Sequence, residues 1–135
     1  MHLTARSPLV CALLPLVTPL VACDPSSESS LEVENSTSYE LLVTTESYDG
    51  LVTTPAPIGE TVQVRHILDI GPPRPPSDLR GLSADIMRLG QRVAVYTQKP
   101  IDSHVWERRP WPTHCDASAC GVYVLVLTDE DVRLP

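Results

Sequence analysis

From Leu31 onward the chain is patterned at the two-residue period of a half-buried strand. Leu31-Glu32-Val33-Glu34-Asn35 alternates apolar with polar side chains, and Asn35-Ser36-Thr37-Ser38 is turn chemistry. Residues 39–45 are rich in β-formers, Tyr48-Asp49-Gly50 reverses the chain, and Leu51-Val52-Thr53-Thr54 returns it, which predicts a hairpin closed around Asp-Gly. Thr61-Val62-Gln63-Val64-Arg65-His66-Ile67-Leu68 alternates again and directs positions 62, 64 and 67 at a core. Residues 84–89 and 92–97 flank Gly90-Gln91 as a second hairpin. Its alternation puts Val93, Val95 and Thr97 on one face and Ala94 and Tyr96 on the other. Residues 122–128 are apolar at nearly every position, so both faces are expected to be covered, as in a central strand.

About seven short strands separated by turn signals predict an all-β fold, an antiparallel β-sandwich over residues 31–135, with a small β-barrel as the alternative. The 14 prolines and 6 glycines interrupt the chain too often for long helices. Gly71-Pro72-Pro73-Arg74-Pro75-Pro76 is a stiff, extended loop, and residues 100–112 read as irregular. There is no Phe, so 2 Trp and 4 Tyr supply all the large aromatic volume of an otherwise aliphatic core.

Before this domain lies a different pattern. Residues 9–22 form an apolar run behind Arg6, interrupted by Pro15 and Pro19 and too short for the roughly 20 residues of a spanning helix. That is the anatomy of a signal-peptide core. The run closes on Leu20-Val21-Ala22-Cys23, which resembles the lipobox of bacterial lipoproteins. The resemblance implies that residues 1–22 are removed and that the Cys23 thiol carries a diacylglycerol. It also implies a cell-envelope protein, attached to a membrane through N-terminal lipid and facing the periplasm or cell surface. Asp24, next to the anchor Cys, resembles the residue with which enteric lipoproteins tend to stay at the inner membrane; other bacterial groups do not all follow that rule, so inner or outer membrane stays open. Asp24-Pro25-Ser26-Ser27-Glu28-Ser29-Ser30 has no apolar residue, so residues 23–30 are expected to be a disordered tether.

The formal charge of −7 disfavours nucleic acid as a partner. Of the 4 cysteines, Cys11 belongs to the leader and Cys23 to the lipid, leaving Cys115 and Cys120 to pair in an exported chain. The alternative is a metal site at His114, Cys115 and Cys120 with His66 or His104 as a fourth ligand, although the spacing is not Cys-x-x-Cys. Trp106-Glu107-Arg108-Arg109-Pro110-Trp111 gathers two indoles and two guanidiniums. Trp106, Arg108, Arg109 and Trp111 are therefore candidate ligand-binding residues: indoles stack on sugar rings and guanidiniums grip carboxylates. The competing reading has Trp fill the open end of a Phe-free sandwich while Arg covers it. Asp129-Glu130-Asp131 reads as a solvated acidic tail, since no EF-hand pattern surrounds it.

The body of the chain resembles small uncharacterised β-sandwich lipoproteins of Gram-negative bacteria. The resemblance rests on Val33-Glu34-Asn35-Ser36-Thr37, Ile58-Gly59-Glu60-Thr61, the hairpin over 86–96, and Tyr123-Val124-Leu125-Val126-Leu127-Thr128-Asp129-Glu130-Asp131. The Pro-rich loop and the Cys pair depart from that pattern, and the resemblance brings no catalytic residues. No nucleophile elbow, His-Glu-x-x-His, P-loop or dinucleotide fingerprint occurs. The expectation is a non-enzymatic binding or structural module without a cofactor, its partner an envelope protein or a glycan.

Overall fold

The computed structural model describes residues 26–73, 76 and 78–135. The expected leader, its cleavage point and Cys23 lie outside the described residues. Eight strands follow one another: β1 (Ser26–Ser36), β2 (Leu41–Ser47), β3 (Gly50–Ala56), β4 (Thr61–Ile70), β5 (Gly81–Arg88), β6 (Gln91–Gln98), β7 (Trp106–Arg109) and β8 (Cys120–Thr128). A 3-10 turn at Ser103–Val105 is the sole helical piece among the described residues. The strands form two four-stranded sheets, ordered β4-β1-β8-β7 and β3-β2-β5-β6. The fold is thus a β-sandwich, and the barrel alternative falls because the sheets do not close on each other.

The core lies between the sheets. Leu31, Val33, Tyr123, Leu125 and Leu127 from the first sheet meet Leu41, Val43, Leu82, Ala84, Ile86 and Val95 from the second. β8 is interior, as its composition predicted. Its outward residues Val122 and Val124 are as buried as its inward ones. All pairings are antiparallel except β1 with β8, which run parallel in unbroken register from Glu28↔Cys120 to Ser36↔Thr128. The first and last strands therefore meet in the middle of one sheet, and most of the chain is the connection between them.

Three local expectations are corrected. The strand at β1 begins at Ser26, so Ser26 to Ser30 are not tether: their backbone pairs with β4 on one side, and from Glu28 with β8 on the other. A ladder on both sides stabilises a polar sequence that has no apolar signal of its own. Trp106–Arg109, inside the stretch read as irregular, is an edge strand paired with residues 122–125 of β8. In the second hairpin the turn residues are Leu89-Gly90, both at positive φ, and the register shifts between Ala84 and Asp85. That bulge leaves Val95 without a partner and switches the faces. Val93, Tyr96 and Gln98 then point inward, while Thr97 joins Ala94 outside. A matching bulge in β4 leaves Val64 unpaired opposite Leu31/Glu32. It explains why the inward positions run 62, 64, 67 rather than 62, 64, 66.

The two ends of the sandwich are closed differently. At the end where β1 finishes, Asn35 is fully buried. Its amide donates to Tyr39 O and Ala56 O, both at 2.7 Å, and its Oδ1 accepts from Thr37 N and Oγ1. At the end where β1 starts, buried Pro73 and Pro76 and Leu79 of the Pro-rich loop cover the core. There Arg65 bridges Asp78 at 2.8 Å and Asp49 at 3.4 Å.

Candidate functional site

Register fixes which side chains share the outer face of the first sheet. Ser30 pairs with His66 and Val122, Glu32 with Gln63 and Val124, and Glu28 with Leu68. Paired residues point the same way, so Glu28, Ser30, Glu32, Glu34, Gln63 and His66 form one polar surface beside the outward valines of β8. Gln63 Nε2 donates to Ser30 Oγ at 2.8 Å, and Ser30 Oγ–H donates to Glu32 Oε2 at 2.9 Å. His66 Nε2 lies 2.9 Å from Glu28 Oε2.

After β7 the chain returns over this face. Trp111, Pro112 and Val122 join Ser30, Glu32, Gln63 and His66 as the lining of an open cleft of about 270 Å³. One wall is an indole and a proline ring; the other is a carboxylate, a carboxamide and an imidazole. Such a cleft suits a neutral polyhydroxylated ring, with an aromatic platform on one side and acceptors and donors on the other.

The structure separates the four sequence candidates. Trp106 is in the core, and its Nε1 donates to Gln98 Oε1 at 3.0 Å. Arg108 Nη2 donates to the carbonyls of Ala117 and Cys120, and the guanidinium sits 5.6 Å from the Tyr123 ring centroid. It clamps the loop before β8. Arg109 lies between Glu34 at 3.0 Å and Glu107 at 3.3 Å. The hydrogen bond it donates to Glu34, then that to Glu107, raises its pKa above the ordinary arginine value. Trp111 alone of the four lines the cleft; with Arg108, Arg109 and Cys120 it also borders a second depression of about 240 Å³.

Cys115 and Cys120 form a disulfide, with Cα atoms 5.9 Å apart. The six-residue loop is turned by Asp116, whose carbonyl accepts from Ala119 N and Cys120 N and whose Oδ1 accepts from Ser118 N. The metal reading thereby loses both thiolate donors. Among the described residues no group of three or more His, Cys, Asp or Glu could hold an ion. Asp129 and Asp131 are turn caps: Asp129 accepts from Ser38 Oγ and N, and Asp131 from Thr128 N and Oγ1. The Ser38 hydroxyl, then its backbone N–H, lowers the Asp129 pKa below the ordinary carboxylate value.

Ser30, Glu32 and Gln63 carry no motif in the sequence, and His66 stands out there as a possible metal ligand rather than as part of a polar cleft. Their alternation marks them as outward-facing. What places them beside Trp111 is the pairing of β4 with β1 and the fold-back after β7, which a one-dimensional pattern does not carry. No protein family matches this chain, and no curated protein or solved structure is significantly similar to it.

Proposed function

We propose that the protein is a lipid-anchored binding module of the bacterial cell envelope, held to a membrane through Cys23. The observation that carries the reading is the apolar run that closes on Leu20-Val21-Ala22-Cys23, followed at once by a sandwich domain. The thioether-linked diacylglycerol supplies two acyl chains, and each buried methylene adds about 0.8 kcal/mol of membrane affinity. Two chains are enough for stable anchoring. The test is fractionation of cells that make the Cys23→Ser variant. The wild-type chain sediments with membranes and the variant does not. A variant that stays in the membrane fraction overturns the reading.

A second reading concerns the ligand, and the cleft beside Trp111 favours it. A sugar ring of an envelope glycan would stack on the indole while Glu32 and Gln63 bond its hydroxyls. Soluble cell-wall fragments should change the indole emission of the wild-type protein and leave that of the Trp111→Ala variant unaltered. Equal responses, or none from either, would exclude the cleft.

A further inference from the structure

We infer that the end of the sandwich around Leu68 and Ile70 rests on the surface of the anchoring bilayer. The inference rests on the lipid attachment at Cys23 proposed above and names the surface that the domain turns toward the membrane. Three observations carry it. First, β1 is paired from Ser26 onward, with Ser26 opposite Ile70 and Glu28 opposite Leu68. Two residues, Asp24 and Pro25, separate Cys23 from Ser26, and the three Cα–Cα steps span at most about 11 Å whatever their conformation. The headgroup layer of one leaflet is itself roughly 5–8 Å deep. Ser26 and its cross-strand partner Ile70 are therefore confined to the immediate neighbourhood of the headgroups. A tether running to Ser30 would not confine them.

Second, the confined end carries exposed apolar side chains. Leu68 is 70% exposed and Ile70 is 65% exposed, on the same side of the sheet. Tyr48 and Leu51, at the tip of the β2–β3 hairpin, are exposed at the same end. The bond from Arg65 to Asp49 holds that tip beside β4. Tyrosine suits the water–lipid boundary, where one end of the side chain is wet and the other apolar. Glu28, the partner of Leu68, is bonded to His66 rather than presented alone.

Third, the formal charge of −7 gives no general attraction to an anionic leaflet, so any contact must come from local apolar side chains. Attachment makes a weak contact sufficient, because the short link keeps the surface at high effective concentration beside the bilayer. The Trp111 cleft opens on the same outer face as Leu68, further along β1 and β4, and the Leu89 turn lies at the far end.

The test compares two single substitutions in the full-length lipidated protein reconstituted into phosphatidylcholine vesicles with brominated acyl chains. Leu68→Trp adds an indole at the proposed contact. Leu89→Trp adds one at the opposite end, where the native Leu is 99% exposed. Both sites are on the surface, and near-ultraviolet circular dichroism confirms that each variant is folded. The emission added at position 68 should be lost in brominated vesicles relative to unbrominated ones, and that added at position 89 should persist. Equal quenching at the two positions, in protein whose intact mass includes lipid on Cys23, overturns the inference and leaves the anchor standing. Protein without lipid on Cys23 overturns the anchor reading and the inference together.

Discussion

The two ends of this sandwich are closed by opposite strategies. At one end a single neutral side chain, Asn35, uses both amide hydrogens and its carbonyl oxygen to join the end of β1, the turn after it and the end of β3, all out of water. At the other end the closures are a disulfide, an arginine bridging two aspartates, and rigid prolines packed under the core. Buried hydrogen bonds are costly to break because the abandoned partners cannot turn to solvent. Partly exposed ion pairs are worth little, because water competes for each charge. The first end is therefore expected to be the rigid one. The second is held by one covalent bond and by ion pairs that water reaches.

That contrast predicts a ranking. Asn35→Ala would remove the side-chain partner of the Ala56 carbonyl and of the Thr37 amide, leaving Tyr39 O only the Thr37 hydroxyl as donor, and should cost about 3 kcal/mol in a denaturant titration. A loss below about 1 kcal/mol would mean that water enters this end and the contrast is wrong. Replacing both Cys115 and Cys120 by Ser should cost about 2 kcal/mol, the chain entropy of a six-residue loop. Reducing agent should have the same effect on the wild-type protein and none on the double variant.

Smaller effects lie at the first end. Leu89 holds φ at +51° in a tight turn before Gly90. Asn tolerates that conformation, and Asn-Gly is the preferred pair for such a hairpin. Leu89→Asn should raise stability by roughly 0.5–1 kcal/mol, seen as a higher Tm. The smallest effect is that of Asp129, whose folded pKa is lowered by Ser38. Its contribution is present above the unfolded aspartate value of about 4 and is lost as pH falls through the lower folded value. Asp129→Asn should lower stability slightly at neutral pH, where the wild-type contribution is fully present, and flatten the profile in that acid window, so that the two proteins converge below it.

Much of the fold was legible in the sequence because local chemistry decides it. Asp49-Gly50 fixes the first hairpin, and an apolar run such as 122–128 has to be interior. The misread parts depend on partners. Nothing in Ser26-Ser27-Glu28-Ser29-Ser30 announces a strand; two neighbouring backbones make it one. The bulges at Val64 and Val95 arise from the register of the opposing strand, and so reversed the expected faces of Tyr96 and Thr97. The candidate site divides the same way. The disulfide followed from counting cysteines. Four aromatic and basic residues within six positions looked like one site, yet β7 sends Trp106 inward and Arg108 to the disulfide loop, leaving Trp111 at the cleft. Asn35-Ser36-Thr37 looked like turn chemistry and proved to be the buried polar centre of one end.

The central claim is that this sandwich is held at a membrane by lipid on Cys23. The intact mass of the protein, extracted from its own envelope in mild detergent, tests it most directly. The account predicts a chain that starts at Cys23, carries acyl mass on that residue, and lacks the two hydrogens removed by the Cys115–Cys120 bond. A chain that starts at any other residue, or at Cys23 without added lipid, would contradict it.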